Sequence, residues 1–265
     1  MRKNVKIVLL GDSITQGIGS KLINYTEKLE NELKVHDIIP EIFNLALTGT
    51  TIEYAFSQLE QIIDIKPDYV VIMYGSVDLQ IRPNMENNRF GILSLTPKRY
   101  KEIKGILNPR PFMSKNPRRY MLECLDNIYR KIWRKVVLIT QGSMQYLTEE
   151  QFEENYKSLI YKLRYKIICC SLVYVDSVIY TEQTNLNYKR ANDFLQETSK
   201  LNIQKMNFVD LYSKQKEIVE KNGWDEIYYK DHFHPNSKGY DLIAHELAES
   251  ILNYEFSDVT EKADC

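Results

Sequence analysis

The chain has 265 residues, of which 43% are hydrophobic and 27% charged, and a formal net charge of −1. This length allows one large α/β domain or two small ones with a sizeable core, and the near-zero charge gives no bias toward nucleic acid. The four cysteines follow neither a disulfide framework nor a zinc-site spacing. No apolar run is long enough to cross a bilayer. We therefore expect a soluble, cytoplasmic protein with no metal, no cofactor, no nucleic-acid partner and no stable membrane insertion.

The first third of the chain alternates short apolar runs with stretches of helical spacing. The pattern predicts buried strands at 5–10, 41–45 and 68–74, and helices at 19–34 and 52–63. Pro67 would stop the second of these helices. Such an alternation is typical of a parallel sheet that is covered by helices on both faces.

The alternation breaks between residues 79 and 147. This stretch is rich in proline, with a predicted helix at 119–133 and a candidate strand at 136–140. Its middle is rich in Lys and Arg. We interpret 79–147 as an insertion, or lid, that faces the functional site. Its basic residues form either an ordinary solvated surface or a platform for an anionic substrate.

The α/β pattern resumes after the insertion. It predicts helices at 148–165, 186–199 and 236–252, strands at 167–175 and 207–212, and a polar tail at 257–265. No internal repeat is visible. We therefore expect a single domain over residues 1–256 that carries the insertion, followed by the tail.

The tripeptide Gly11-Asp12-Ser13 stands where the first predicted strand turns into a helix. A serine at this point lies above the carboxyl end of the sheet, where open α/β folds bind their ligands. Backbone N–H groups at the start of the following helix could stabilise an oxyanion. Taken alone, however, the tripeptide favours a simpler interpretation, a turn with an N-capping serine.

A second polar segment, Asp231-His232-Phe233-His234-Pro235, precedes the terminal helix. An imidazole is well suited to take a proton from serine near neutral pH. A carboxylate three residues earlier can hold the far ring nitrogen and fix the tautomer. Together with the distant Ser13, this segment predicts a Ser–His–Asp triad. His232 could compete with His234, but the position of Pro235 favours His234. His36 and His245 are expected to be structural.

These segments resemble the SGNH hydrolase family, also called GDSL esterases and lipases. The first family block is matched by Ile7-Val8-Leu9-Leu10-Gly11-Asp12-Ser13-Ile14-Thr15, the second by Asn44 and Gly49, and the last by Asp231-x-x-His234-Pro235. The matches follow in order over almost the whole chain except the insertion.

The resemblance implies a fold, an activity and roles for individual residues. The fold would be a three-layer α/β/α sandwich with a central, mostly parallel, flavodoxin-like sheet and the insertion after strand three. Ser13 would be the nucleophile of a serine ester hydrolase, with His234 as the base and Asp231 as its partner. The backbone N–H groups of Ser13 and Gly49 would form two arms of the oxyanion hole.

The third family block departs from the pattern. The family has Gly-x-Asn-Asp, whose Asn donates a third hydrogen bond to the oxyanion, but this chain has Gly75-Ser76-Val77-Asp78. Val77 cannot donate, and the loss of one such donor costs about 2.7–4 kcal/mol of transition-state stabilisation. Arg82, Asn44 and Ser76 are candidate replacements. Arg82 carries a fixed charge, although a structural or solvated arginine is an equal alternative. Arg82 and Asp78 are also candidates for binding substrate.

The sequence thus predicts a serine esterase that acts through an acyl-enzyme on a small-molecule or glycan ester. A small O-acyl group, such as acetyl on a carbohydrate, is favoured because no long apolar stretch indicates an acyl-chain tunnel and the insertion is polar. Two alternatives stay open: an acyltransferase that uses the same triad, and a catalytically impaired binding module, which Val77 favours. No oligomeric state is predicted.

Overall fold

The computed structural model describes residues 2–17, 24–86, 91–97, 107–201 and 206–263, with the backbone alone at residue 92 and at 256–263. Part of the predicted helix at 19–34 lies outside the described residues, and so do Lys98, Arg99, Lys101 and Lys104 of the basic insertion.

Five parallel strands form the central sheet in the order β2-β1-β3-β6-β7. They are β1 (Lys3–Gly11), β2 (Ile38–Asn44), β3 (Tyr69–Met73), β6 (Lys166–Cys170) and β7 (Met206–Val209). Ile7 pairs with Ile42 on one side and with Tyr69 on the other. The apolar runs of β1 and β3 are fully buried, as expected for strands that are covered on both faces. The predicted α/β/α fold with a parallel sheet is confirmed.

Helices flank this sheet on both faces. They are α1 (Ser13–Gln16), α2 (Tyr25–Val35), α3 (Tyr54–Ser57), α4 (Leu59–Ile65), α5 (Pro117–Gln141), α6 (Glu149–Lys162), α7 (Ser177–Tyr180), α8 (Glu182–Lys200), α9 (Leu211–Asn222) and α10 (Ser237–Ala263). Short 3-10 turns occupy Ile92–Leu95 and Trp224–Glu226. Helix α2 packs against α10, and α6 against α8. Within the described part of the chain, no helix is both long and apolar enough to span a bilayer.

Several predicted boundaries are correct and others are not. Helix α6 begins where predicted, because Thr148 and Gln151 form a reciprocal capping box. The strand predicted at 207–212 ends at Val209, since Asp210 caps the unpredicted helix α9 by accepting from Ser213 N. Helix α10 continues beyond residue 252 into the predicted tail.

The strand predicted at 136–140 is wrong, because these residues are the last turns of α5. A run of β-branched side chains has strand propensity. However, Arg130, Arg134, Val137 and Gln141 are buried at helical spacing along one face of α5. These packed contacts override the local propensity.

The insertion leaves and rejoins the domain at one residue, Asp78. The backbone carbonyl of Asp78 accepts from Tyr146 N at 3.1 Å and from Leu147 N at 3.2 Å. Two short antiparallel strands, β4 (Arg82–Pro83) and β5 (Ser143–Met144), close the base of the insertion. The insertion is therefore anchored directly after β3, at the edge of the sheet where Ser13 lies.

Candidate active site

Ser13 lies at the carboxyl end of β1, as the first residue of α1. The sheet order places β1 beside β3, and the chain continues to opposite sides of the sheet after these two strands. Such a switch point is where doubly wound folds form their ligand crevice. Gly11 permits the tight turn, since a Cβ there would lie 2.9 Å from the Met73 carbonyl oxygen. Asp12 caps α1 by accepting from Ile14 N at 3.1 Å.

The loop before α10 supplies the other two predicted residues. The amide of Asn236 donates to the backbone carbonyls of Asp225, Glu226 and Tyr228, which holds the loop in place. Asp231 Oδ1 accepts from the backbone N–H groups of Phe233 at 3.3 Å and His234 at 3.1 Å. These bonds leave Oδ2 of Asp231 directed at the imidazole of His234.

Ser13, His234 and Asp231 form one continuous hydrogen-bonded chain. His234 Nδ1 lies 2.5 Å from Asp231 Oδ2, and His234 Nε2 lies 2.9 Å from Ser13 Oγ. Ser13 and Asp231 are buried. This geometry can transfer the hydroxyl proton of Ser13 to the imidazole while the carboxylate stabilises the resulting imidazolium.

Nearby charges raise the pKa of His234 above its ordinary value of 6.5. Burial alone lowers this pKa, but the charge and hydrogen bond of Asp231 and the charge of Asp12 outweigh it. Burial raises the pKa of Asp12 to about 6. The hydrogen bond from Ile14 N and the charges of His234 and Arg82 lower this pKa, but burial has the larger effect. The acidic side chains thus favour a protonated His234, which is the form that serine attack produces.

The loop that contains Gly49 is tied to the start of α1. Leu47 N donates to the Gly11 carbonyl at 3.2 Å, and Thr48 N donates to Gln16 Oε1 at 2.8 Å. Gly49 has a φ of 74°, a backbone conformation that glycine adopts without strain. Among the described residues, the N–H groups of Ser13 and Gly49 have no recorded acceptor. Two backbone donors are therefore available at the edge of the sheet that holds Ser13.

Asn44 does not supply the third donor that was predicted as one option. Its Nδ2 donates to the Thr15 carbonyl at 2.7 Å and to Thr26 Oγ1 at 3.2 Å. Its Oδ1 accepts from Ala46 N at 3.1 Å. Both donor hydrogens of the amide are thus used in joining α1, α2 and the Gly49 loop, so this option is wrong.

Arg82 lies beside Val77, the residue that replaces the family Asn. Its Nη2 lies 3.4 Å from the Val77 carbonyl oxygen, and its guanidinium covers the ring of Tyr146 at 4.9 Å. Nε of Arg82 is buried and has no hydrogen-bond partner among the described residues. The charge of Arg82 also acts on Asp12, next to Ser13. The guanidinium therefore brings unused donor capacity to the catalytic edge.

Asp78 is not positioned to bind substrate, so that prediction is wrong. Its side chain is completely buried, with Oδ1 accepting from Ile52 N at 2.8 Å and Oδ2 from Gly75 N at 3.0 Å. Burial raises the pKa of Asp78 to about 7. Both carboxylate oxygens are turned toward the backbone because the loops after β2 and β3 need an acceptor at this point.

His232 has a partner of its own, Asp176, which the sequence did not indicate. His232 Nδ1 lies 2.7 Å from Asp176 Oδ2, and its ring stacks on Trp224 with centroids 5.2 Å apart. The alternative role of His232 as the base is therefore not supported. His245 pairs with Glu32 at an exposed position and makes no hydrogen bond with Ser13, Asp231 or His234 among the described residues, so the structure gives it no place in the triad. The one sequence signal for the His232–Asp176 pair is the position of Asp176 in the loop after β6.

Among the described residues of the insertion, the basic side chains are divided between buried and exposed positions. Arg134 is buried and donates to the carbonyls of Ile179 and Ile81 and to Asn108 Oδ1. Arg130 is buried against Asp126 at 2.7 Å. These two arginines hold the insertion together rather than meeting solvent, whereas Lys131 and Lys135 are exposed.

An open groove of about 550 Å³ begins at Gly49. It is lined mainly by polar and aromatic residues, namely Gly49, Thr50, Thr51, Glu53, Tyr54, Ser57 and Tyr146. Tyr146 is the same ring that lies under Arg82. The groove therefore runs from one arm of the predicted oxyanion hole to the base of the insertion.

Comparisons with known proteins agree with this geometry. Residues 9–242 match the model of the GDSL-like lipase/acylhydrolase family, whereas a search of curated proteins gives no match. A lipase/acylhydrolase from Enterococcus faecalis is similar in structure, with a TM-score of 0.60 and 21% identity over 95% of both chains. A catalytic mutant of an acetylxylan esterase from Geobacillus stearothermophilus has a TM-score of 0.60 and 14% identity over 95% of both chains.

The family model covers the end of β1, Ser13, the whole insertion and the loop that carries His234. The solved structures are too distant in sequence to add more than the shared fold. The match over most of the chain nevertheless decides the membership: this chain belongs to the GDSL-like lipase/acylhydrolase family and is an ester-hydrolysing enzyme.

Proposed function

We propose that the enzyme is a serine esterase that removes a small O-acyl group, such as acetyl, from a carbohydrate. The observation that supports the catalytic part of this proposal is the unbroken chain of hydrogen bonds from Ser13 Oγ through His234 to Asp231. Ser13 Oγ gives its proton to His234 Nε2 and attacks the carbonyl carbon of the ester. The imidazolium then protonates the leaving sugar oxygen, and the acyl group stays on Ser13.

The second half of the reaction repeats these roles with water. His234 removes a proton from a water molecule, whose oxygen attacks the acyl carbonyl, and the bond to Ser13 Oγ breaks. The proton on His234 returns to Ser13, and the carboxylic acid leaves. In both halves, the negative charge on the carbonyl oxygen is stabilised by the backbone N–H groups of Ser13 and Gly49.

Arg82 is our candidate for the third donor of the oxyanion hole. Two observations support this candidate: its Nη2 lies 3.4 Å from the backbone carbonyl oxygen of Val77, the residue that replaces the family Asn, and its Nε is buried with donor capacity unused among the described residues. A charged donor forms stronger hydrogen bonds to an oxyanion than a neutral amide does. Arg82 can therefore compensate for the valine.

The groove supports a polar substrate with a short acyl group. Its side chains carry hydroxyl, carboxylate and tyrosine groups, which suit the hydroxyls and ring faces of a sugar. The fold is also shared with acetylxylan esterases, which is consistent with carbohydrate deacetylation. A lipase-like substrate would instead need an apolar channel for its chain.

The test is a panel of p-nitrophenyl esters of rising acyl length together with acetylated xylo-oligosaccharides and other acetylated sugars. We expect kcat/KM to be highest for acetyl esters, to fall steeply for longer chains, and to rise on at least one acetylated sugar relative to p-nitrophenyl acetate. A preference for long acyl chains would contradict the substrate class. Transfer of the acyl group to an added sugar, detected by mass spectrometry of the products, would show an acyltransferase instead.

A further inference from the structure

Helix α5 buries several polar side chains and exposes several large apolar ones. Its buried residues are Arg130, Arg134, Val137 and Gln141. Three of the four are polar, and Arg134 alone makes three hydrogen bonds to the insertion and to α7. The inward face of α5 is therefore held by hydrogen bonds and by a small apolar cluster in which Tyr129, Trp133 and Val137 pack with Leu93 and Leu107, while other apolar side chains of α5 lie on its exposed face.

Those apolar side chains form a stripe along the exposed face of α5. Six large side chains of the stripe are each more than half exposed, namely Met121, Leu122, Leu125, Ile128, Ile132 and Ile139. Five of them follow the alternating three- and four-residue spacing that aligns side chains on one helix face. Together they expose on the order of 600 Å² of apolar surface, which is at the upper end of what monomeric proteins leave uncovered.

The same face is cationic. Lys131 is exposed beside the stripe, Lys135 is exposed on it between Ile132 and Ile139, and Arg118 and Arg119 are exposed at its N-terminal end. The two acidic residues of α5 are engaged in contacts within the insertion. Glu123 accepts from Ser114 N at 2.6 Å and from Arg119 Nε at 3.1 Å, and Asp126 pairs with Arg110 and Arg130.

We propose that this face of α5 binds the enzyme to an anionic lipid surface. An amphipathic helix with basic flanks lies in the plane of a membrane, with apolar side chains at the acyl boundary and Lys or Arg at the lipid phosphates. No described helix is suited to span the bilayer, so the binding is peripheral. This proposal goes beyond the esterase activity and does not depend on it.

A second copy of the chain is the weaker candidate for the occupant. A stable protein interface buries about 800 Å² on each partner, and the exposed apolar area of the stripe is smaller than that. Lys135 falls on the stripe between Ile132 and Ile139, where a helix pair needs an apolar residue. The acids of α5 are occupied by its own arginines, so the exposed face offers no charge to match these lysines.

The insertion that carries α5 interacts with the loops that hold Asp176 and His232. The charge of Lys131 acts on Asp176, the partner of His232: burial raises the pKa of Asp176, but His232, Val178 N and Lys131 lower it overall. The insertion further contacts the loop through Phe112 and Tyr229, whose ring centroids are 4.6 Å apart.

The test is co-sedimentation of the full chain with vesicles of phosphatidylcholine, with or without phosphatidylglycerol. We expect the protein to bind anionic vesicles at least tenfold more tightly than neutral ones. Its affinity for the anionic vesicles should fall as salt is added. Leu125→Glu/Ile128→Glu/Ile132→Glu should abolish binding. The matched variant Val35→Glu/Ile63→Glu/Tyr161→Glu, altered at exposed apolar residues outside α5, should bind like wild type. Lys131→Ala/Lys135→Ala should weaken binding roughly thirtyfold.

Two outcomes would overturn the proposal. One is anionic-vesicle binding that the stripe variant leaves unchanged while it retains wild-type circular dichroism. The other is no vesicle binding together with a concentration-dependent dimer in sedimentation velocity that the stripe variant abolishes, which would assign the face to a second copy. Ser13→Ala should bind vesicles like wild type, so a failed esterase assay and a failed binding assay are distinguishable.

Discussion

Each ring nitrogen of His234 has its own partner, although Ser13 is 221 residues away in the chain. Asp231 accepts from Nδ1–H, and this fixes the tautomer in which Nε2 is unprotonated and can accept from Ser13 Oγ. The carboxylate of Asp231 is itself fixed by two backbone N–H groups. The proposed catalytic role of His234 therefore depends on the charge and the position of a single carboxylate.

Asp231→Asn tests this dependence. An amide can donate to Nδ1 and so favour the wrong tautomer, and we expect kcat to fall by about 10⁴-fold with little change in folding. The comparison variant is His232→Ala, which removes the neighbouring histidine and its bond to Asp176. Near-wild-type activity in Asp231→Asn, combined with loss in His232→Ala, would reverse our assignment of the base.

The pH dependence follows from the raised pKa of His234. Serine attack needs the neutral imidazole, so activity should be low below this pKa and should rise with pH through it. Because the pKa is raised, we expect the inflection of kcat/KM above the ordinary value of 6.5. A kcat/KM that is flat or falls between pH 5 and pH 8, measured with a neutral ester, would be incompatible with His234 as the base.

Arg82→Ala tests the third oxyanion donor. The loss of a donor that acts mainly in the transition state should reduce kcat by about 10²–10³-fold and change KM little. Arg82→Ala/Val77→Asn should recover part of the loss on p-nitrophenyl acetate, because the Asn side chain restores the family donor. An effect of Arg82→Ala on KM alone would show that Arg82 binds substrate instead.

The structure brings together the three residues that the sequence predicted as a triad, whereas Asn44 and Asp78 have contacts that the sequence did not indicate. Ser13, Asp231 and His234 stand in local motifs whose spacing has a chemical reason. The actual roles of Asn44 and Asp78 depend instead on which backbone groups face them in the fold, namely Thr15 O, Ile52 N and Gly75 N. No sequence pattern records those contacts.

Among the elements, the loops after β2 and β3 are joined by the carboxylate of Asp78. One oxygen accepts from Ile52 N and the other from Gly75 N, while the backbone carbonyl of Asp78 accepts from Tyr146 N and Leu147 N at the returning end of the insertion. This single residue therefore positions the Gly49 segment, the Val77 segment and β4, which carries Arg82.

We expect Asp78→Ala to destabilise the protein by about 2–5 kcal/mol, because two buried backbone N–H groups lose their acceptor. Asp78→Asn keeps one acceptor oxygen and should lower the free energy of unfolding by about half as much. Urea denaturation followed by circular dichroism measures both. A decrease in the free energy of unfolding below about 1 kcal/mol in Asp78→Ala would show that the loops do not depend on the Asp78 carboxylate.

Secondary-structure prediction was weakest in the insertion. The β-branched residues at 136–140 predict a strand, yet buried contacts of Arg134 and Val137 place them in α5. The strands β4 and β5 have two residues each, too few to give a periodic pattern. In the parallel sheet, by contrast, continuous burial makes each strand a recognisable apolar run.

On the scale of the whole molecule, the sheet order β2-β1-β3-β6-β7 brings the ends of β1 and β3 together. This topology explains why Ser13 and the Val77 segment meet although more than sixty residues separate them. The insertion departs from the same edge and returns to it at Asp78. The alternation of strands and helices was sufficient to predict the fold, and the domain boundaries proposed from sequence remain a prediction.

Labelling with a fluorophosphonate probe, read by intact-protein mass spectrometry, tests most directly whether Ser13 is the nucleophile. Wild type should gain one probe adduct, and peptide mapping should place it on Ser13. Ser13→Ala should gain none and keep the circular dichroism spectrum of wild type, since the change removes one hydroxyl group and its hydrogen bond to His234 Nε2. Equal labelling of the two proteins would contradict the account, as would a folded wild type that takes no label and hydrolyses no ester.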